Sequence, residues 1–373
     1  MEKTQTDPRR TQRRNDRDLV ALAGSRAPLA LSYLTREEFA DYQTSHQGRM
    51  LGAVAFGAAR PRVAAPDCPY AWVDMPVLNG ESSMFEVWSS AQPVVREDAG
   101  DFVAARNDDV LFGCLQMKLD RRLDAASHRA YSRIFDFIDG RDYGHLLRVW
   151  NYFPRITADA DGLERYAWFN MGRHDAFADK GRVIGTDTPA ACALGSRGND
   201  LVIYFLAAKQ AGRLVENPRQ TSAFHYPAQY GPRSPTFARG RLMQTAGEPL
   251  LFVSGTASIV GHATLHIGNA PEQARETIAN VRAVIAQAQL AGLDTSSANT
   301  GLLLKTYLRH AEDLAMVRGC LTQAFGPATK VLYLQADICR ADLLLEVEAV
   351  YANASANVLV PVHSDQRRAS YAT

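Results

Sequence analysis

Apolar residues along this chain recur with two periods, and the C-terminal third shows both. Residues 250–255, "LLFVSG", form a short apolar run closed by a turn residue, the pattern of a buried strand. Residues 264–268 read as a second short strand. From 271 to 290, Ile278, Val281, Val284, Ile285 and Ala288 stand three and four apart, which puts them on one inward face of a helix. Pro271 falls where a first helical turn tolerates a missing N–H, and Glu272 and Glu276 suit the positive end of the helix dipole. A strand over 302–308, a helix over 312–325 and two strands over 331–336 and 343–351 follow. The predicted order is strand, strand, helix, strand, helix, strand, strand.

Part of this order occurs earlier in the chain. Residues 128–138 are helical in pattern, "LLRVWNYF" (146–153) is a strand, and another helix is expected near 163–177. "LLRVWNYF" is similar to the later "LLLKTYLR" and brings Tyr152 beside Tyr307. "NDLVIYFLAA" is similar to "ADLLLEVEAV", pairing Asp200 with Asp342 and Tyr204 with Glu346. Two matches in the same order predict duplicated α+β units, although two amphipathic strands can also resemble each other by chance. Between the units, residues 217–240 ("NPRQTSAFHYPAQYGPRSPTFARG") are too rich in Pro, Gly and Ser for a helix or a central strand. The aromatic residues in this segment argue against a disordered linker.

Composition narrows the function. The 373 residues are 46% hydrophobic and 22% charged, enough for two domains with a real core. A net charge of +1 gives no basic face for nucleic acid. Arg9, Arg10, Arg13, Arg14 and Arg17 cluster at the start and read as a solvated tail over 1–18, since no apolar stretch follows as in a targeting peptide. No run of roughly 18 apolar residues is present to span a membrane. Five widely spaced cysteines, Cys68, Cys114, Cys192, Cys320 and Cys339, without a CxxC pair, fit free thiols in a reducing cytoplasm. The expected organisation is an N-terminal unit over 19–216, the irregular segment 217–240, a C-terminal unit over 241–355 and a tail over 356–373.

The stretch "LFVSGTASIVGHATLHIGNAPEQARETIANVRAVIAQA" resembles the YjgF/RidA family, as do the strand ending in Tyr307-Leu308 and the final "LLLEVEAV". A single domain of that family covers about a third of the chain. The wider resemblance is to the chorismatases, which elaborate the same fold. It rests on "YGPRSPTFARG", "LFVSGTASIVGHAT" and "DICRADLLLEVEA" together. The fold implied is α+β, with two YjgF/RidA-like units of mixed sheet and helices packed on one face. The implied activity is cofactor-independent removal of pyruvate from chorismate. One branch hydrolyses it to a cyclohexadiene diol, another forms 3-hydroxybenzoate, and some members also make 4-hydroxybenzoate. The branch is associated with two positions, here Cys339 and Gly255, and both point to the 3-hydroxybenzoate type.

Chorismate is a dianion carrying an enol ether, and cleaving it requires a proton on the enolpyruvyl methylene carbon. A carboxylic acid kept protonated near neutral pH can supply it. Glu346 and Glu348 are two apart in "LLLEVEA" and so share one face of a strand. Burial and like charge there would raise one pKa; a wet edge-strand face fits the same spacing. The family pattern selects Glu346 as the donor. Cys339 precedes it across a turn at 340–342, so a hairpin would set the thiol beside the acid, where it is either a packing residue or a guide for aromatisation. Arg233, Arg239 and Arg309 are candidate anchors for two carboxylates, and Tyr226 and Tyr230 for the ring hydroxyl or a carboxylate. Each of these also fits a surface or packing role. His262 and His266 lack a third ligand nearby, so no metal site is expected, and without GxGxxG or a Walker motif no nucleotide cofactor is expected. The alternatives are the hydrolytic chorismatase, a RidA-type enamine/imine deaminase and a non-catalytic binding module. "ATKVLYLQ" offers only Lys330 where the deaminase needs a carboxylate-binding arginine. Chorismate is the expected partner, and a monomer or a homo-oligomer is equally compatible with the sequence.

Overall fold

The computed structural model describes residues 29–99, 102–119, 122–243, 249–293 and 301–352. The tails expected over 1–18 and 356–373 lie outside the described residues. Among the described residues, sixteen strands form three large sheets, and two short two-stranded ribbons stand apart from them. β1 (Leu29–Leu34), β2 (Met50–Gly57), β3 (Tyr70–Asp74) and β4 (Ser83–Ser90) make a four-stranded sheet in the order β1-β4-β2-β3. β5 (Val95–Ala99), β6 (Phe102–Arg106), β7 (Val110–Lys118), β8 (His145–Pro154), β9 (Ala190–Ser196) and β10 (Asp200–Ala208) make a six-stranded sheet, β9-β8-β10-β7-β6-β5. β11 (Arg213–Val215), β12 (Gly240–Met243), β13 (Leu250–Thr256), β14 (Leu302–Leu308), β15 (Lys330–Gln335) and β16 (Leu345–Ala352) make the third, β11-β12-β13-β16-β14-β15.

Counted from its own first strand, each six-stranded sheet has the same order and the same pattern of one parallel pair, β8 with β9 and β14 with β15. Helices α2 (Leu123–Asp139) and α3 (Arg165–Asp179) cover one face of the second sheet. α4 (Ala270–Leu290) and α5 (Leu314–Phe325) cover one face of the third. These are the two α+β units that the sequence predicts. The four-stranded sheet repeats the last four positions of that order, with β2 parallel to β3 and antiparallel to β4, and α1 (Arg36–Ser45) packs on it. A capping box opens α1, with Thr35 and Glu38 bonding each other's backbone N–H. The sequence predicts only one unit before residue 216, so this third, shorter sheet is an addition.

The other faces of all three sheets meet in one central core. Along β8, Val149 and Phe153 pack towards α2 and α3, while Trp150 and Tyr152 point to the centre. Burial on both faces explains why runs such as "MLGAVAFG" (β2) are apolar throughout rather than alternating. At the middle of the junction, the cross-strand pairs Val54/Glu86, Trp150/Tyr204 and Lys305/Glu348 converge, one from each sheet. Lys305 Nζ reaches Glu86, Tyr204 Oη at 2.9 Å and Glu348 Oε1 at 2.7 Å. Tyr152 and Tyr307 do correspond, and their hydroxyls share a 2.7 Å hydrogen bond. The second sequence match is out of step by one side-chain repeat. Register opposes Tyr152 to Val202 and Tyr307 to Glu346, so Glu348, not Glu346, corresponds to Tyr204.

Two local expectations fail. Residues 264–268 are not a strand: a two-residue hairpin (Ile259–Val260 with Ala263–Thr264) ends in a turn with His266 at φ 58°. No hairpin joins β15 to β16, because β14 lies between them and bonds to both. The residues carrying Cys339 and Asp342 form a loop instead.

Candidate active site

The second and third sheets touch where β9 packs on β13, and the seam is stitched by backbone. Ala191 N donates to Ser254 Oγ at 2.8 Å, Ala238 N to Pro189 O at 2.9 Å, and Gly195 N to Asp337 O at 2.7 Å. Gly195 fits only as glycine, since a Cβ there would lie 2.6 Å from Asp337 Cβ. Beside this seam opens a cavity of about 590 Å³. Its walls are β9 (Cys192), the bulged end of β13 (Gly255), β16 (Glu346), the loop after β15 (Cys339, Arg340), α3 (Arg173) and the irregular segment 217–240 (Tyr226, Tyr230, Arg239). The irregular segment contains two short 3₁₀ turns, Ala223–His225 and Ala228–Tyr230. A long structureless stretch wrapped around a cavity is typical of functional loops.

Glu346 is 4% exposed and lies at the cavity wall. Burial, and after it the charge of Glu348, push its pKa up to about 8, against the opposing pull of Arg148 and Arg239. The Glu348 carboxyl behaves in the opposite way. Burial pushes it up, but Lys305 and Arg148 outweigh that and hold it below the usual carboxylate range. The paired glutamates are therefore pushed in opposite directions on one strand face, a pattern that separates a proton donor from a fixed anion. The β13–β16 register slips between Val253 and Thr256, and there the backbone of Gly255 approaches Glu346. A Cβ on Gly255 would stand 1.9 Å from Glu346 Oε1 and 3.0 Å from Cys192 Cβ, so any larger residue must displace the carboxyl.

Cys339 shares this cavity from the loop, not from an adjoining strand. Burial, and then the neighbouring Glu346, push its thiol up to about 12, so it is a neutral S–H at physiological pH. Arg309 does not line the cavity. Its guanidinium bonds Leu343 O and Arg340 O at 2.9 Å each and Asp337 Oδ1 at 2.8 Å, and so shapes the loop that presents Cys339. Arg233 is also outside the lining, half exposed and 3.5 Å from Asp175. Of the three expected anchors only Arg239 enters the wall. It is 3% exposed, donates to Thr221 O and Tyr226 Oη at 2.8 Å each, and leaves Nε without a protein partner. Tyr226 is buried against it. Tyr230 donates to His262 O at 2.7 Å and carries the Arg340 guanidinium 4.1 Å above its ring. His262 and His266 belong to no group of three or more His, Cys, Asp or Glu side chains among the described residues.

Several residues escaped sequence reasoning. Arg173 is 2% exposed, lines the cavity, and has Nε and Nη2 buried without a protein partner. A buried orphan guanidinium beside a cavity is an anion site in waiting. Its signal was present: Arg173 is four residues from both Phe169 and Phe177, an arginine on the apolar stripe of a helix. Gln273 and Asn280 of α4 are braces. Gln273 Nε2 donates to Asp342 O and its Oε1 accepts from Leu344 N, both at 2.8 Å, while Asn280 Nδ2 holds Ala257 O and Ile259 O. They fix the two loops that flank Glu346. No helix among the described residues is long and apolar enough to cross a membrane.

A family model described as chorismatase FkbO/Hyg5-like, N-terminal, matches residues 86–207. The chain is 34% identical over 333 residues to a chorismatase of Streptomyces rapamycinicus, covering 87% of this chain and 99% of that protein. It is 35% identical over 274 residues to a 3-hydroxybenzoate synthase of Streptomyces hygroscopicus, covering 71% of this chain and 80% of that one. A crystal structure of a chorismatase matches with a TM-score of 0.79 at 31% identity, over 87% of this chain and 98% of the other. With the three sequence blocks, the doubled α+β unit and these likenesses in agreement, the chain belongs to the chorismatase family, built on a YjgF/RidA-like fold.

Proposed function

We propose that this chain converts chorismate to 3-hydroxybenzoate and pyruvate, with Glu346 as the proton donor. The observation that carries the reading is a buried carboxyl, its pKa pushed up to about 8, facing a cavity whose wall also holds two buried guanidinium groups, Arg173 and Arg239. A dianion with one enol ether fits that set of groups. Glu346 gives its proton to the enolpyruvyl methylene carbon, which makes the pyruvyl group a leaving group. When no water adds to the activated substrate, the neighbouring ring hydroxyl attacks the ether-bearing carbon as that carbon's bond to the pyruvyl oxygen breaks; pyruvate departs, the protonated epoxide opens at the carbon that first carried the hydroxyl, the oxygen stays at the 3-position, and the ring aromatises. The ring proton lost returns to the Glu346 carboxylate, and the two products together contain every atom of chorismate. When water adds, the dihydroxycyclohexadiene carboxylate of the hydrolytic branch forms instead.

Cys339 and Gly255 favour the first outcome. The neutral thiol fills space beside the acid without competing for its proton, and Gly255 leaves the Glu346 carboxyl where it is. The deciding experiment is to incubate the pure protein with chorismate, with and without a chelator, and to identify the aromatic product by mass and absorbance. Equimolar pyruvate and 3-hydroxybenzoate, unaffected by the chelator, are expected. Turnover of an amino-acid-derived imine with chorismate untouched would replace the reading by a deaminase.

Arg173 and Arg239 take the anchoring role first given to Arg309 and Arg233. Arg173→Ala and Arg239→Ala should each weaken binding of benzoate-type product analogues about tenfold or more, since a lost charged hydrogen bond is worth roughly 1.5–3 kcal/mol. Titration calorimetry on the folded variants measures this, and unchanged affinity removes that arginine from the site. Arg233→Ala should leave affinity unchanged.

A further inference from the structure

The chemistry in the cavity leaves unexplained a second polar cluster, buried where the three sheets meet. Glu348 Oε1 accepts from Lys305 Nζ at 2.7 Å, Trp150 Nε1 at 3.0 Å and Tyr307 Oη at 3.2 Å, while Oε2 takes the Arg148 guanidinium. Lys305 is 1% exposed and is held besides by Glu86 and Tyr204. Such clusters are costly to bury, and apolar residues of similar size often serve stability as well. What distinguishes this one is its position. Glu348 lies two residues from Glu346 on the same face of β16, and Lys305 opposes Glu348 from the neighbouring strand β14.

We propose that Glu348 and Lys305 are positioning residues of the active site: Lys305 and Arg148 pin an ionised Glu348 behind Glu346, and that fixed negative charge keeps Glu346 a proton donor. The inference rests on Glu346 being the acid. The groups bearing on the Glu346 carboxyl from the elements around it are Glu348 on its own strand, Arg148 on β8, Cys192 on β9, Arg239 before β12, Tyr166 on α3 and Cys339 on the loop. Arg173, Glu164, Arg340 and Asp342 line the same cavity. Of the groups acting on Glu346 itself, Glu348 is the anion and the two arginines oppose it. Every oxygen of Glu348 is committed to donors, so it does not share a proton with Glu346. Cys192, packed between β9 and both glutamates, has its thiol pushed well up, by burial first and Glu348 next, so it adds no competing charge.

The test is the pH dependence of turnover. Activity needs protonated Glu346, so it is present below that pKa and lost above it. Glu348→Gln removes the anion and leaves two cations nearby, so the alkaline limb of kcat should move to lower pH by about one unit or more. Glu348→Asp keeps the charge and should keep the limb near the parent's. Glu86→Gln removes a carboxyl from the far side of Lys305 and serves as the control for destabilisation, with the limb unmoved. If the single variant does not fold, Lys305→Met with Glu348→Gln removes the pair together, and the limb must fall in that protein too. The Glu346 carboxyl is followed in parallel by ¹³C NMR of glutamate-labelled protein, assigned with Glu346→Gln. A folded Glu348→Gln protein with the parent limb and the parent Glu346 titration overturns the inference. Absence of any chorismate turnover in the parent overturns the functional reading instead, and the NMR titration then still decides the role of Glu348.

Discussion

Glu346→Gln should reduce pyruvate release from chorismate by roughly a hundred- to ten-thousand-fold, the contribution of general acid catalysis. The amide keeps the shape of the side chain and an N–H donor but has no carboxylic proton to give to carbon. Binding of benzoate-type analogues should change little, because the guanidiniums proposed as anchors come from α3 and from the residue before β12. The parent enzyme's pH profile should carry the same signature. Burial and the charge of Glu348 push the Glu346 carboxyl up to about 8, so kcat should be level through neutrality and fall as pH rises past that value. The sign follows from an acid that must be protonated to act; a general base would give the opposite limb. A Glu346→Gln protein that is folded and releases pyruvate at a rate near the parent's would end the assignment.

Cys339→Ala should change the product more than the rate. A thiol pushed up to about 12 is neither a base nor a thiolate nucleophile at neutral pH, so its loss leaves proton delivery intact. Its sulfur occupies space next to Glu346 in a cavity of about 590 Å³. Vacating that space beside a polar group gives water a place, since a buried water needs roughly 10–15 Å³ and hydrogen-bond partners. Pyruvate should therefore appear at a rate within a few-fold of the parent, while the main product moves from 3-hydroxybenzoate to the dihydrodiol, read by chromatography and mass. Retention of 3-hydroxybenzoate as the sole product at the parent rate would make Cys339 a packing residue.

The strands and helices of the C-terminal unit were legible because their apolar spacing is strong and local. Residues 302–308 form a strand with those bounds, and the helix expected over 271–290 gains a single residue, Ala270. The four-stranded sheet was not legible. β2 is apolar at nearly every position because both its faces are covered, and an unbroken run carries no period. Of the site, Glu346, Cys339, Gly255, Tyr226, Tyr230 and Arg239 do gather around one cavity. Arg309 and Arg233 do not, since adjacency to a motif says nothing about which way a long side chain turns. Arg309 is bound to three carbonyl groups of the loop, a task invisible without the loop's path. Arg173 was marked only by its place on an apolar helix stripe, whereas Lys305 left no local mark because its partners are distant in the chain: Lys305 meets Glu86 and Tyr204 from two other sheets.

The three-sheet junction has a further consequence. Three copies of one polypeptide around a threefold axis would face each other with identical residues, so a lysine at the centre would bring two more lysines with it. Here the sheets belong to one chain, and the central layer combines one ammonium, one indole and one isopropyl group from Lys305, Trp150 and Val54, set against two carboxyls and one phenol from Glu86, Glu348 and Tyr204. Joining the units covalently releases each position from copying its counterparts. Mutation can then tune one seam between sheets without altering the other two, and a single asymmetric pocket can acquire its acid, its thiol and its two arginines independently.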